Sequence, residues 1–260
     1  MVLESATIAS LVGSFIWPLV RIAALVGVAP ILGSRMVPRR VRVILVLVLT
    51  IAAMPLLPAI PPVDPISIAG LMVTIQQVLI GVSMGFLLRL VMGALEVAGQ
   101  VVATQMGLGF ATLIDPQNGG QMPLVSHFYN LLGMLMFLAL NGHLVLIQML
   151  VESFRTLPIG TPGLIPGDFW TLTEWATHMF AGAVLISLPA ITSLMVVNLA
   201  FGVMTRASPQ LNIFAVGFPI TLLLGLLIIL YSLPILLPQI ERLLDGAFAL
   251  VQALVREGAV

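Results

Sequence analysis

The sequence predicts an all-α, polytopic membrane-type helical protein, with about six long hydrophobic helices plus one broken helix-loop segment. Three observations carry this. Of 260 residues, 60% are hydrophobic and 8% charged, whereas a soluble domain has roughly 45–50% apolar and about 25% charged residues. So few charges cannot cover a water-soluble particle of this size, so lipid or partner protein must cover the rest. Uncharged windows of about 20 residues, enough helix to cross a hydrocarbon core about 30 Å thick, recur along the chain. The separators between them are short and rich in Pro, Gly or Arg.

Residues 5–34, interrupted only by Arg21, form the first window. Glu4 precedes it without a basic residue, unlike the basic start of a cleavable signal, so the window is expected to belong to the mature protein. GSRMVPRRVR (33–42) leads to a second window at 43–63, whose end overlaps the proline-rich MPLLPAIPPVDP (54–65), extended or turned. The third window, 65–88, ends at Arg89. Residues 90–114 are helical in pattern but broken by glycines, and any helix there is expected to end at Asp115-Pro116. Within uncharged 116–151, residues 124–150 form the fourth helix. A Gly/Pro-rich loop, TLPIGTPGLIPGDFW, lies within 152–175. Windows 175–205 and 207–240 supply the last two helices, joined by TRASPQLN (205–212). From 239 onward Glu241, Arg242, Asp245, Arg256 and Glu257 suggest an amphipathic helix at a membrane or protein surface.

All ten basic residues are Arg. Arg35, Arg39, Arg40 and Arg42 cluster in one loop; with Arg89 and Arg206 they fall on the cytoplasmic side if six spans start from an outside N-terminus. The net charge of zero points to no nucleic acid, and the absence of Cys excludes disulfides and thiolate chemistry. The histidines are His127, His143 and His178; the first two lie 16 apart, not the three or four that converge ligands on one helical face. GLGFAT (107–112) follows no strand, and no phosphate loop or nucleophile elbow is present. No enzyme, metal or cofactor is expected.

Three charges within apolar segments stand out: Arg21, Arg89 and Glu96, the last two seven apart on one helical face. Such groups mark ion or proton paths, or pair structurally within the chain or with a partner; both readings stay open. Windows 124–150, 176–204 and 213–238 hold no acid, unlike the spans of a proton-coupled carrier. The abundant small residues, 23 of them Gly, permit close helix packing. Residues 105–123, QMGLGFATLIDPQNGGQMP, turn from apolar to Gly-rich. Irregular backbone at membrane depth is tolerated only inside protein or along a cavity, so this is either a surface loop or a pore constriction.

Several stretches carry a resemblance: FIWPLVRIAALVGVAPILGSRMVPRRVRVILVLVLT (15–50), PLLP (55–58), EVAGQVVATQMGLGFATLIDPQ (96–117), FLALNGHLVLIQMLVESF (137–154) and VNLAFGVMTRASPQLNIFAVGFP (197–219). In this order, the chain resembles the FliR family of flagellar and virulence type III export-gate proteins. The resemblance implies a FliP-like helical part over 1–160, including a plug loop at 105–123. A FliQ-like helical hairpin and the C-terminal amphipathic segment follow over 161–260, the hairpin turning at RASPQLN. It implies a core subunit of the flagellar export gate in the bacterial inner membrane, at the flagellar basal body, with part of the assembly at periplasmic level. FliP, FliQ and FlhB-like proteins would be its hetero-oligomer partners, with membrane lipid around it and unfolded export substrates passing through. The pore plug would comprise Met106, Gly107, Gly109, Phe110, Leu113, Ile114, Asp115 and Pro116. The cytoplasmic entrance would comprise Arg206, Ser208, Pro209, Gln210 and Asn212. Two alternatives are weighed against this: a subunit of a virulence injectisome, and, in another class, a small-solute secondary transporter, whose inverted repeats have no counterpart here.

Overall fold

A computed structural model describes residues 5–34, 36–58, 60, 63–109, 124–160, 163–208 and 213–257. Their regular elements are all helical: α1 (Ser5–Val28), α2 (Arg39–Ala53), a 3-10 turn (Met54–Leu56), α3 (Ile68–Gln105), α4 (Leu124–Ala139), α5 (Gly142–Thr156), α6 (Pro166–Ala207) and α7 (Ile213–Glu257). The all-α membrane class holds. The count of long helices is smaller than six: α3, α6 and α7 are long and apolar enough to cross a membrane, and the bent pair α4–α5 makes a fourth if it forms one span.

The difference has local causes. The 43–63 window yields only the later part of the 15-residue α2, which stops at Ala53 because Pro55 draws the chain into the 3-10 turn. Arg89 does not end a helix. It lies exposed within α3, which runs on to Gln105 and joins two segments that read as separate. An exposed guanidinium on a long stem reaches water or headgroups without breaking the helix beneath it. Residues 124–150 divide at Asn141, whose left-handed backbone (φ 57°) turns the chain 65° between α4 and α5. Asn tolerates that conformation better than most residues. α7 runs through Pro234, Pro238 and the charged stretch after 239, so the C-terminal amphipathic segment continues this helix. α6 starts where Pro166 occupies the first helical position and Asp168 reaches back, its Oδ2 accepting from the Ile165 N–H at 2.8 Å.

The chain divides into two compact units. In the first (residues 1–90, 137–176 and 244–260), α3 lies against α1 through Gly81 and Gly85. A Cβ at Gly81 would come 2.3 Å from the Arg21 carbonyl oxygen, a clash with backbone that no side-chain motion relieves. This is small-residue packing of the kind that lets membrane helices approach closely. Trp17, fully buried on α1, donates from Nε1 to Thr74 Oγ1 at 3.2 Å.

In the second unit (residues 91–136 and 177–243), α3 packs on α4. Ser126 Oγ donates to the Glu96 carbonyl at 3.1 Å, and Asn130 Nδ2 donates to the Glu96 carboxylate. α6 and α7 run antiparallel. Gly182 faces Leu243, while Gly202 and Thr205 share a concavity with Gly217 and Phe218. Only 33% of the apolar window of α6 and 22% of that of α7 is buried, against 67% for α3. The chain therefore leaves most of this hairpin for something else to cover.

Candidate functional site

α3 ends where the glycine-rich segment begins. Gly107 has a left-handed backbone (φ 82°). Its N–H bonds to the Thr104 carbonyl and the Leu108 N–H to the Ala103 carbonyl, both at 3.0 Å. This pair of bonds is the Schellman arrangement that closes a helix on a glycine. The expected stop at Asp115-Pro116 is thus anticipated by a helix stop at Gly107. Met106, one residue earlier, is fully buried, and its side chain occupies the space beside Gly225 of α7. Its carbonyl accepts from Thr221 Oγ1 at 3.4 Å. Of the expected plug residues, Met106, Gly107 and Gly109 are described; Phe110, Leu113, Ile114, Asp115 and Pro116 lie outside the described residues.

Beside this helix end is a concavity of about 380 Å³. Thr104, Gln105 and Gly107 line it from α3 and its cap, Asn198, Phe201 and Thr205 from α6, and Phe218 and Thr221 from α7. The threonine hydroxyls are occupied by carbonyls of their own helices, Thr104 by Gln100 at 2.8 Å and Thr205 by Gly202 at 2.6 Å. The amides of Asn198 and Gln105 line the same recess. An amide in an apolar hairpin is costly in lipid, and here it lines a recess that three threonines share.

The three singled-out charges are not brought together. Arg21 is fully buried, and every side of its guanidinium is engaged. Nε donates to Gln77 Oε1 at 2.8 Å, Nη1 to the Ser153 carbonyl at 2.8 Å and Ser153 Oγ at 3.1 Å, and Nη2 to the Leu157 carbonyl at 2.9 Å. The Phe154 ring stacks beneath it, 4.3 Å from centroid to Cζ. No carboxylate takes part. Two of the acceptors are carbonyls at the C-terminus of α5, where unpaired carbonyls and the helix dipole favour a cation. With all three nitrogens bonded and the ring stacked beneath them, the geometry favours structural pairing within the chain over an ion path. Arg89 is exposed and Glu96 is held by Asn130; among the described residues the only ion pair is the exposed Arg155–Glu152 contact at 3.8 Å.

Arg39, Arg40 and Arg42 form the first turn of α2, and Arg35 lies outside the described residues. Arg206 and Ser208 are exposed at the end of α6; Pro209, Gln210 and Asn212 lie outside the described residues. His127 and His178 are exposed, and His143 Nδ1 is buried without a hydrogen-bond partner. Among the described residues no three His, Asp or Glu side chains cluster as metal ligands would.

A family model for bacterial export proteins, family 1, matches residues 12–247. The chain belongs to that family. It is 40% identical to flagellar biosynthetic protein FliR of Escherichia coli (strain K12), over 94% of this chain and 93% of the relative. It is 39% identical to FliR of Pectobacterium carotovorum subsp. carotovorum, over 92% of both, and 33% identical to FliR of Aquifex aeolicus (strain VF5), over 83% of both. Membership of this export family, with its three or four candidate spans, makes the chain an inner-membrane component of flagellar protein export.

For this member of the export family, counting charges missed the recess residues. Asn198 and Thr221 are uncharged and sit inside windows that read as uniformly apolar, and Gln105 was read only as the start of the glycine-rich segment. The signal was present as an amide within VNLAFG and as the Thr-Gln pair before the glycines.

Proposed function

We propose that the chain is a core subunit of the gate through which unfolded flagellar proteins cross the inner membrane, assembled with FliP, FliQ and FlhB-like proteins. One observation carries the proposal: a recess lined by Thr104, Gln105, Asn198 and Thr205 among apolar surface lies where α3 stops, at the root of the glycine-rich segment, on a hairpin otherwise apolar and uncovered. Lipid covers apolar helix faces well but serves amides badly. Partner helices around a water-filled passage serve both. Leu199 on α6 is 69% exposed and Leu230 on α7 is 60% exposed, surfaces suited to neighbouring helices.

Within this reading, residues 106–116 supply the plug and the Arg206–Asn212 turn the cytoplasmic entrance. Residues 1–160 correspond to a FliP-like part and 161–260 to a FliQ-like hairpin with its extension. The bulk of Met106, Phe110, Leu113 and Ile114 suits an apolar seal, which excludes water and hydrated ions by dewetting. The engaged state of Arg21 supports a structural charge over the proton relay that a coupled transporter requires.

Affinity purification of the tagged chain in mild detergent, with candidate partners co-expressed, tests the proposal. A gate subunit co-purifies with several different small membrane proteins in fixed ratio. A stable, monodisperse monomer from cells that express those partners would overturn it.

A further inference from the structure

The trough between α1 and α2 combines features found together nowhere else among the described residues. Leu19, Ala23 and Gly27 on α1 and Val43 and Leu47 on α2 line a space of about 460 Å³, with Arg39 and Arg42 at the α2 N-terminal end. Among the described residues neither arginine pairs with a carboxylate, and Arg42 Nε is buried without a hydrogen-bond partner there. The first turn of α2 contains no acid, and Pro38 offers no side-chain cap. Free N–H groups and the positive end of the helix dipole attract an anion; here two guanidiniums add to that pull. A cationic end without any internal counter-charge calls for one from outside.

The apolar trough decides what kind of anion. A free phosphate would satisfy the arginines and leave the trough to water. α2 has 15 residues, about 22 Å of helix at about 1.5 Å per residue. That exceeds one leaflet, about half of a 30 Å hydrocarbon core. A furrow between two packed helices admits a methylene chain more readily than a third helix roughly 10 Å wide. The outer face of α2, with Ile44, Val48 and Ile51 more than half exposed, suits a lipid surrounding.

We infer that the α1–α2 trough binds an anionic glycerophospholipid, its phosphate on Arg39 and Arg42 and one acyl chain lying between the helices. The site does not depend on what the assembly exports. It gives the basic cluster a bound partner as well as a role in orientation.

The assembly containing the full chain is extracted in neutral detergent and exchanged against phosphatidylglycerol or phosphatidylcholine with identical acyl chains. Retained lipid is counted by native mass spectrometry. Wild type is expected to retain phosphatidylglycerol in preference by roughly thirtyfold, given about 1 kcal/mol for each of the two basic residues near an anionic surface. The R39Q/R42Q variant should bring the two lipids to parity. Gly27→Leu tests the trough separately: a Cβ there meets nothing within 4 Å, so the new side chain starts in open space. That variant should lose both lipids and stay assembled. Parity in wild type, or an undiminished preference in R39Q/R42Q, would overturn the inference. So would loss of a partner protein instead of lipid in Gly27→Leu, since the trough would then belong to that partner. Displacement of the lipid by millimolar inorganic phosphate, with Gly27→Leu without effect, would reduce the site to a bare anion site and also overturn it.

Discussion

Replacing Arg21 tests how the first unit is held together. Arg21→Ala removes a fully buried side chain and strips Gln77 Oε1 and the Leu157 carbonyl of their partner. The Ser153 carbonyl keeps the Leu157 N–H at 3.0 Å and is not orphaned. Two buried acceptors left unsatisfied cost about 1–3 kcal/mol each, and the cavity and the lost Phe154 stacking add to this. A total of about 4 kcal/mol corresponds to a fall in unfolding midpoint of roughly 8–16 °C for a chain of this size. Arg21→Lys keeps the charge but loses the planar fork that serves three separate acceptors. About half the loss is expected, roughly 4–8 °C. Arg21→Met fills most of the volume and leaves the acceptors orphaned, so it should fall between Ala and Lys. Intrinsic tryptophan fluorescence during heating in detergent, with Trp17 fully buried beside the site, provides the assay. Arg21→Met at wild-type stability would refute the reasoning. It would mean that desolvating the guanidinium costs as much as its hydrogen bonds return, as happens at some buried charges.

Three further outcomes are expected. Gly81→Leu should prevent α3 from docking on α1, since its Cβ would lie 2.3 Å from a backbone oxygen; loss of the folded chain from membranes checks this, and normal accumulation would contradict it. A single cysteine at Ser34, introduced into a chain without native Cys, should resist a membrane-impermeant thiol reagent applied from outside, because the arginine-rich flank stays cytoplasmic; rapid labelling would reverse that orientation. Arg206→Glu, at an exposed position at the end of α6, should reduce export severalfold without altering membrane insertion, and wild-type secretion would remove the turn from the mechanism.

The membrane class was legible because it rests on composition, and the long apolar windows around α3, α6 and α7 were visible as such. Helix boundaries were less so, because charge was taken as punctuation. Arg89 interrupts hydropathy but not helix geometry, so one long helix looked like two. Conversely Asn141-Gly142, an ordinary turn signal, sits in an unbroken apolar run and was passed over, though it bends the chain by 65°. Arg21 was flagged as a buried charge, but its acceptors lie 56 to 136 residues away and two are backbone carbonyls. No local pattern records such partners. The recess escaped for a related reason: Gln105, Asn198 and Thr221 come from three helices, and no local pattern brings them together.

The most direct test of the gate is electrical. A passage wide enough for an unfolded chain would dissipate the membrane potential unless an apolar element sealed it at rest. The assembled complex is reconstituted in planar bilayers with wild-type chain, with residues 110–115 deleted, or with Phe110 and Leu113 both changed to Gly. A sealed wild type and a steady small-ion conductance in both variants, with export reduced less than the seal, is the expected result. Unchanged conductance in variants that assemble normally would contradict it and move the seal to another subunit.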